Sequence, residues 1–238
     1  MKKNTTIALI IPVWNEAECI GQVVDDFASL QLHKLPLLDE IVVVDSDSED
    51  GSAEIARSVG ATVVSEGRSG YGQACISGLS YLSNRPQGAP EIVVFVDGDG
   101  SNYANDLLDL LSPFDSEAVE FTLGSRIQRA EKGALTIQQQ AGNHLACFLM
   151  RRIFHVNYSD LGPFRAIRWN SLQQLHMNDT TYGWTIEMQI KAAKFKLETV
   201  EINVQYRHRQ AGRSKVSGTL RGVIGASYAI LSTIFKYH

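Results

Sequence analysis

Apolar and polar positions follow two rhythms along the first half of the chain. Short apolar runs rich in β-branched residues sit at Ile7–Ile11, Glu40–Val44, Ala61–Ser65, Glu91–Val96 and Val119–Gly124. Such runs predict strands, and an unbroken one predicts a strand buried on both faces. Between them Ala17–Leu30, Ser52–Val59, Gly72–Leu82 and Ala104–Leu111 read as helices. This alternation implies right-handed crossovers and a mainly parallel, doubly wound sheet in an α/β fold. The second half changes rhythm. Leu135–Phe154 reads as a long helix with Leu145, Phe148, Leu149 and Ile153 at helical spacing. Leu161–Ile167 reads as a turn feeding a strand, Thr185–Ala193 as a helix, Leu197–Tyr206 as a strand and Gly218–Phe235 as an apolar helix. No linker rich in Pro, Gly or Ser divides the chain, which predicts a single domain over residues 1–238 with halves at 1–126 and 127–238.

Composition narrows the picture. With 44% hydrophobic and 20% charged residues in 238, the chain can bury a sizeable core. The net charge of −4 argues against nucleic acid as a partner. Three scattered cysteines, Cys19, Cys75 and Cys147, lack metal-ligand spacing and suit a reducing cytoplasm. Ile7–Val13 is too short for a signal-peptide core. No segment reaches the roughly 18–20 apolar residues of a membrane span. Val223–Phe235 comes nearest.

The candidate chemistry gathers where strands end. The run Ile92–Val96 stops at Asp97-Gly98-Asp99. Ligands of open parallel sheets bind at that carboxyl edge, and two carboxylates there can hold a hard divalent cation shared with substrate phosphates. Asp and Gly are also ordinary turn residues. The first strand runs into Pro12-Val13-Trp14-Asn15-Glu16. Asn15 and Glu16 suit the start of the following helix, or, with Pro12 and Val13, the base and ribose of a nucleotide. Asp45, Asp47, Glu49 and Asp50 crowd the end of the second strand, and Asp45 at its tip can accept the ring N–H of uracil or guanine. After the third strand, Glu66–Ala74 combines Gly67, Gly70 and Gly72 with Arg68, a cation for phosphate. Its spacing is neither the dinucleotide fingerprint nor a P-loop, which excludes both.

These four segments in this order resemble the family-2 glycosyltransferases of the GT-A fold, a Rossmann-like arrangement. Asp160–Ala166, Tyr182–Met188 and Gly212–Lys215 resemble the dolichol-phosphate mannose synthase-like branch, so the likeness spans nearly the whole chain. Trp14 stands where Tyr or Phe is usual, and Asp45-Ser46-Asp47 replaces the commoner Asp-Asp-Gly or Asp-Asn-Gly. The resemblance implies a nucleotide-sugar-binding first half and an acceptor-side second half. It implies inverting transfer of a hexose from a UDP- or GDP-linked donor, with Mg2+ or Mn2+ on Asp99 and with Asp97 either a second ligand or bound to the ribose and metal waters. Pro12, Val13, Asn15, Glu16, Asp45, Asp47, Arg68, Gly72 and Gly98 would line the donor site. Arg213 and Lys215, in the basic run Tyr206–Lys215, would close on pyrophosphate or an acceptor phosphate. Arg126 and Arg165 are further phosphate candidates, or partners in structural ion pairs. Glu187 or Asp160 would be the base for a hydroxyl acceptor. A polyprenyl phosphate or other lipid-linked acceptor needs none. Peripheral membrane contact through the last helix and a second copy of the chain are the expected further partners. The rival readings are a sugar nucleotidyltransferase and an inactive nucleotide-sugar-binding scaffold.

Overall fold

The central strand is β1, Ile7–Val13, whose residues Ile7 to Ile11 are completely buried. In the computed structural model, which describes residues 5–211 and 220–238, it pairs in parallel with β4 (Glu40–Asp45) and β6 (Ile92–Phe95). Between β1 and β4 run α1 (Ala17–Ala28) and a hairpin of β2 (Gln31–Leu32) and β3 (Leu35–Pro36). Its two turn residues, His33 and Lys34, both have positive φ, as a tight hairpin requires. After β4 come α2 (Ser52–Ser58), the edge strand β5 (Thr62–Ser65) and α3 (Tyr71–Asn84). β6 is followed by α4 (Asp106–Leu111) and β7 (Phe121–Ala130). The second half contributes α5 (Ile137–Phe154), β8 (Arg165–Arg168), α6 (Trp169–Leu175), α7 (Trp184–Phe195), β9 (Thr199–Tyr206) and α8 (Leu220–Lys236).

The seven-stranded sheet has the order β5-β4-β1-β6-β8-β7-β9. Strand pleating sends successive side chains of β1 to opposite faces. Ile7, Leu9, Ile11 and Val13 join Ile20, Val24 and Phe27 of α1 in one core. Ala8 and Ile10 join Leu82, Met150 and Trp184 on the other face. Both faces are therefore covered, as the apolar runs require. The parallel expectation holds for β5, β4, β1 and β6 and for the β7–β9 pair. The sheet is thus mainly parallel, with β8 antiparallel between β6 and β7 because the chain re-enters the sheet from the opposite end after α5. Helix α6 follows β8 directly, without a turn signal, and is not foreseen by the apolar pattern.

The second half is pinned to the first by polar staples. The opening turn of α3 donates Gly72 N–H to Thr181 O (3.1 Å) and Gln73 N–H to Thr180 O (2.9 Å). A Cβ on Gly72 would collide with the carbonyl oxygen of Asp179. Behind this segment the fully buried Glu187 of α7 accepts from Asp179 N (2.8 Å), Asn178 N (3.1 Å) and Tyr237 Oη (2.6 Å), and pairs with Lys191 Nζ at 2.8 Å. Burial pushes its carboxyl up, but Lys191, Tyr237 and Asp179 N outweigh that and hold it below the usual range. Removing one partner of a buried ion pair leaves the other charge uncompensated. Glu187→Ala is expected to lower the unfolding free energy by about 3–5 kcal/mol, read by urea denaturation at pH 7. A loss below about 1 kcal/mol, the range of an exposed pair, would contradict this anchoring role.

Candidate active site at the carboxyl edge of the sheet

The parallel strands deliver their ends to one edge, and a cleft of about 630 Å³ opens there. Pro12 and Val13 at the end of β1, Trp14 and Glu16 after it, Ser46 after β4 and Asp97, Gly98 and Asp99 after β6 line it. Gly70 and Tyr71 at the start of α3, Arg126 on β7, and Tyr206 and Arg209 at and beyond the end of β9 complete most of the wall. The turn after β6 lies directly on β1, since a Cβ on Gly98 would sit 2.9 Å from Val13 Cγ2. A side chain there would push the two carboxylates off the strand.

Asp99 accepts from Ser101 N (3.0 Å) and Ser101 Oγ (2.6 Å) through Oδ1 and faces Arg209 Nη1 at 3.3 Å through Oδ2. Asp97 lies deeper. Burial, and then the charge of Asp99, push its carboxyl up to about 7 against the pull of Arg126, a hydrogen bond from Tyr71 and Arg209. Arg126 emerges where the β7–β9 register slips between Ser125 and Arg129, and such irregularities re-aim side chains. Its fork is locked on the buried Asp160, Nε to Oδ2 at 2.7 Å and Nη2 to Oδ1 at 2.8 Å, over the Tyr206 ring at 5.0 Å. Burial disfavours this cation, yet Asp160 keeps it firmly protonated. Arg209 bridges the floor, donating Nη2 to Glu16 Oε2 and Nη1 to Asp99 Oδ2.

The acidic loop after β4 is built from local caps. Asp50 Oδ2 accepts from Ala17 N (2.9 Å), Asp50 Oδ1 from Ser52 N (3.0 Å), and Ser52 Oγ from Glu16 N (2.8 Å). The start of α1 is therefore capped from the neighbouring loop. Asn15, with φ 54°, takes Glu49 N on its Oδ1 (2.8 Å) and donates its backbone N–H to Ser48 Oγ (2.8 Å), which ties the two strand ends together. Asp45 is buried at the strand tip. Its Oδ2 accepts from Ser48 N (3.2 Å), and its Oδ1 has no partner among the described residues. Asp47 is exposed beside Ser46.

Seven of the expected site residues do not line the cleft: Asn15, Asp45 and Asp47 of the strand-end loops just described, and Arg68, Gly72, Arg165 and Glu187. Arg68 points to solvent and pairs with Glu66 at 2.9 Å, outside the cleft. The space where a Gly72 side chain would stand is filled by the Asp179 and Thr180 backbone, and Gly72 does not line the cleft. Arg165 is wholly buried against the carbonyls of Thr185, Leu161 and Gly162, and burial brings its guanidinium down to about 10. Glu187 has every oxygen engaged in the anchor of α7 and does not line the cleft. Asp160, the other base candidate, is bound up with Arg126. Arg213 and Lys215 lie outside the described residues. Arg209, Tyr71 and Tyr206 are cleft residues that sequence reasoning passed over. Arg209 stood within the basic run, but Gly212 drew attention to the residues after it.

Among the described residues no three His, Cys, Asp or Glu side chains form a ready-made metal cage. The two carboxylates after β6 nonetheless fit a hard divalent cation whose remaining ligands are phosphate and water. Burial of Asp97 beside the like charge of Asp99 leaves that pair in want of a cation.

The family model described as glycosyl transferase family 2 matches residues 8–176. An uncharacterised glycosyltransferase of Mycobacterium tuberculosis is 31% identical over 218 residues, 92% of this chain and 93% of the relative. A dolichyl-phosphate hexose transferase of Haloferax volcanii is 30% identical over 219 residues, 88% of this chain and 86% of that protein. Among solved structures, glucosyl-3-phosphoglycerate synthase of Mycobacterium tuberculosis, in complex with Mn2+, UDP and glucosyl-3-phosphoglycerate, superposes with a TM-score of 0.76 at 24% identity. That match covers 99% of this chain and 81% of the other, and places the fold among GT-A proteins. The chain belongs to glycosyl transferase family 2 and is a glycosyltransferase.

Proposed function

We propose that this enzyme transfers a hexose, with inversion, from a UDP- or GDP-linked donor to a polyprenyl phosphate or another lipid-linked phosphate. Asp97 and Asp99 would hold Mg2+ or Mn2+. The observation that carries this reading is the meeting of Glu16, Asp97, Asp99, Arg126 and Arg209 in one cleft. Negative charge grows on the diphosphate as the glycosidic bond breaks, and a bound divalent cation supplies Lewis acidity at that point. Arg126, fixed by Asp160, adds a preorganised cation that need not reorient as the bond breaks. The open acceptor atom of Asp45 suits a ring N–H of uracil or guanine, while Pro12 and Val13 offer apolar wall to the base. The Mn2+ and UDP of the mycobacterial synthase agree with this donor chemistry.

Two observations favour a lipid-linked phosphate as acceptor. Among the described residues, every carboxylate lining the cleft is engaged: Glu16 and Asp99 by Arg209, Asp97 by Tyr71. A phosphate nucleophile is already an anion and needs no base, whereas a hydroxyl does. Helix α5 leads away from the cleft, whose wall includes Thr136 and Gln139 at its start. Ile137, Leu145 and Phe148 on it are 82%, 49% and 54% exposed, it carries no acidic residue, and Arg151 and Arg152 stand exposed in its last turn. An apolar stripe with cations and no anions suits an anionic bilayer. No helix among the described residues is long and apolar enough to cross one, so the contact would be peripheral.

Three outcomes follow from this reading. Titration of UDP and GDP with and without Mn2+ should find metal-dependent binding to one of them. Asp99→Asn or Asp97→Asn should lower kcat/KM by about 10²–10³-fold with the melting temperature kept. Nucleotide binding indifferent to metal and to both substitutions would overturn the metal reading. Mn2+ affinity should be flat above pH 7 and fall below it by about tenfold per pH unit, since a proton must leave Asp97 before it can ligate. Calorimetry across pH 5.5–8 checks this, and a flat profile contradicts it. Finally, Leu145→Glu with Phe148→Glu should abolish co-sedimentation with anionic vesicles and lower transfer to polyprenyl phosphate by about tenfold or more, leaving nucleotide binding intact. If these changes instead dissociate an oligomer, the stripe joins copies of the chain.

A further inference from the structure

Among the described residues that line the cleft, three are carboxylates, Glu16, Asp97 and Asp99, and two are arginines, Arg126 and Arg209. Of the two arginines that line it, Arg126 is already matched by Asp160. Arg209 alone faces the carboxylates of Glu16 and Asp99 among the described lining residues. Its Nε donates to Ala211 O at 2.8 Å, and its two carboxylate contacts differ. Nη2 sits hard against Glu16 Oε2, whereas Nη1 stands 3.3 Å from Asp99 Oδ2, longer than the roughly 2.7–2.9 Å of a strong charge-assisted bond. Asp99 Oδ1 is taken by Ser101 N and Oγ, so Oδ2 is the oxygen a cation would use. The arginine therefore covers the very lone pairs that a metal ion needs.

The backbone around Arg209 is tied to the same turn. Arg207 N donates to Ser101 O at 2.9 Å, Arg207 Nε to Gly100 O at 2.6 Å and Gln210 N to Asp99 O at 3.4 Å. The guanidinium thus hangs from a strap fastened to the turn that carries Asp97 and Asp99. Leaving Asp99 takes a turn of the side chain that also releases its Nε from Ala211 O. A divalent cation on Oδ2 would compete with Nη1 for one oxygen and repel it.

We propose that Arg209 is a resident counter-cation of this site, displaced from Asp99 Oδ2 by the divalent ion and thereby released to grip the donor diphosphate with its fork. The inference rests on the metal reading above and assigns Arg209 a positioning role in it. Before the donor arrives, Arg209 holds the carboxylates together. Once the ion is on Asp99, the planar fork matches phosphate oxygens in a bidentate way that a lysine cannot.

The test is Mn2+ binding, followed by electron paramagnetic resonance of the free ion, in wild type, Arg209→Gln and Arg209→Lys, each with and without UDP or GDP. Hydrogen bonds to charged groups are worth enough to shift affinities by about tenfold or more. Arg209→Gln should bind Mn2+ alone about that much more tightly, and bind the nucleotide diphosphate with Mn2+ about that much more weakly. Arg209→Lys should keep the competition with Mn2+ and lose the grip on the diphosphate. In an Asp99→Asn background, Arg209→Gln should leave Mn2+ affinity unchanged. A purely structural role would weaken both bindings together, and that result, or an unchanged Mn2+ affinity in Arg209→Gln, overturns the proposal. If wild type and variants all fail to bind Mn2+ even with nucleotide, the metal reading falls and this inference with it. Mn2+ binding that is normal but blind to residue 209 overturns the inference alone.

Discussion

Like charges brought together at the carboxyl end of β6 are the constraint around which this molecule is arranged. Asp97 and Asp99 are two residues apart on a glycine turn, and Glu16 joins them from the end of β1. Burial and mutual repulsion push Asp97 up to about 7. The fold contains the repulsion with cations brought from far along the chain. Arg126 arrives on an irregular stretch of β7, held by Asp160, and Arg209 arrives beyond β9. Arg209 comes from the second half, and Arg126, the last residue of the first, is held by Asp160 of the second, so a site whose acids belong to the first half is completed by the second.

That dependence explains why the second half is stapled so firmly. β8 enters the sheet antiparallel between β6 and β7, and its Arg165 pairs in register with Phe95 and Leu123. The Arg165 side chain then donates to the carbonyls of 161–162 and 185, and among the described residues pairs with no carboxylate and leaves its Nε unpartnered. Glu187 ties α7 to the 178–179 backbone and to Tyr237. The same 179–181 segment receives the first N–H groups of α3, so α3 and α7 share one seam. Buried charges of this kind are costly unless every partner is present. Here they fix the geometry of a cleft whose own charges repel.

The sheet was legible because its signal is local. Runs such as Ile7–Ile11 and Ile92–Val96 can be satisfied only by burial on both faces, and the cores on the two sides of β1 do so. Asp97-Gly98-Asp99 was legible for a related reason: polar groups directly after such a run must emerge at its edge. Side-chain direction in the second half was not legible. Glu187 and Arg165 resemble ligands in sequence and are staples in space, because which face of α7 or β8 looks inward depends on elements far away in the chain. Gly72 was read as room for a ligand, yet the room is used by Asp179 and Thr180. Arg209 was hidden among four arginines and lysines of similar promise between residues 207 and 215. Only its position against Glu16 and Asp99 separates it from them. Helix α6 escaped because it follows β8 with no Gly, Pro or Asn between them.

The chain belongs to glycosyl transferase family 2, and its cleft gathers two carboxylates after β6, one arginine locked on Asp160 and one set between Glu16 and Asp99. The most direct check is a crystal of the enzyme with Mn2+ and its nucleotide diphosphate, with data collected for Mn2+ anomalous scattering. The account expects one peak bonded to Asp99 and to diphosphate oxygen, with Arg209 turned from Asp99 toward the phosphates. A peak remote from Asp97 and Asp99, or Arg209 still on Asp99 Oδ2 beside bound diphosphate, would contradict it.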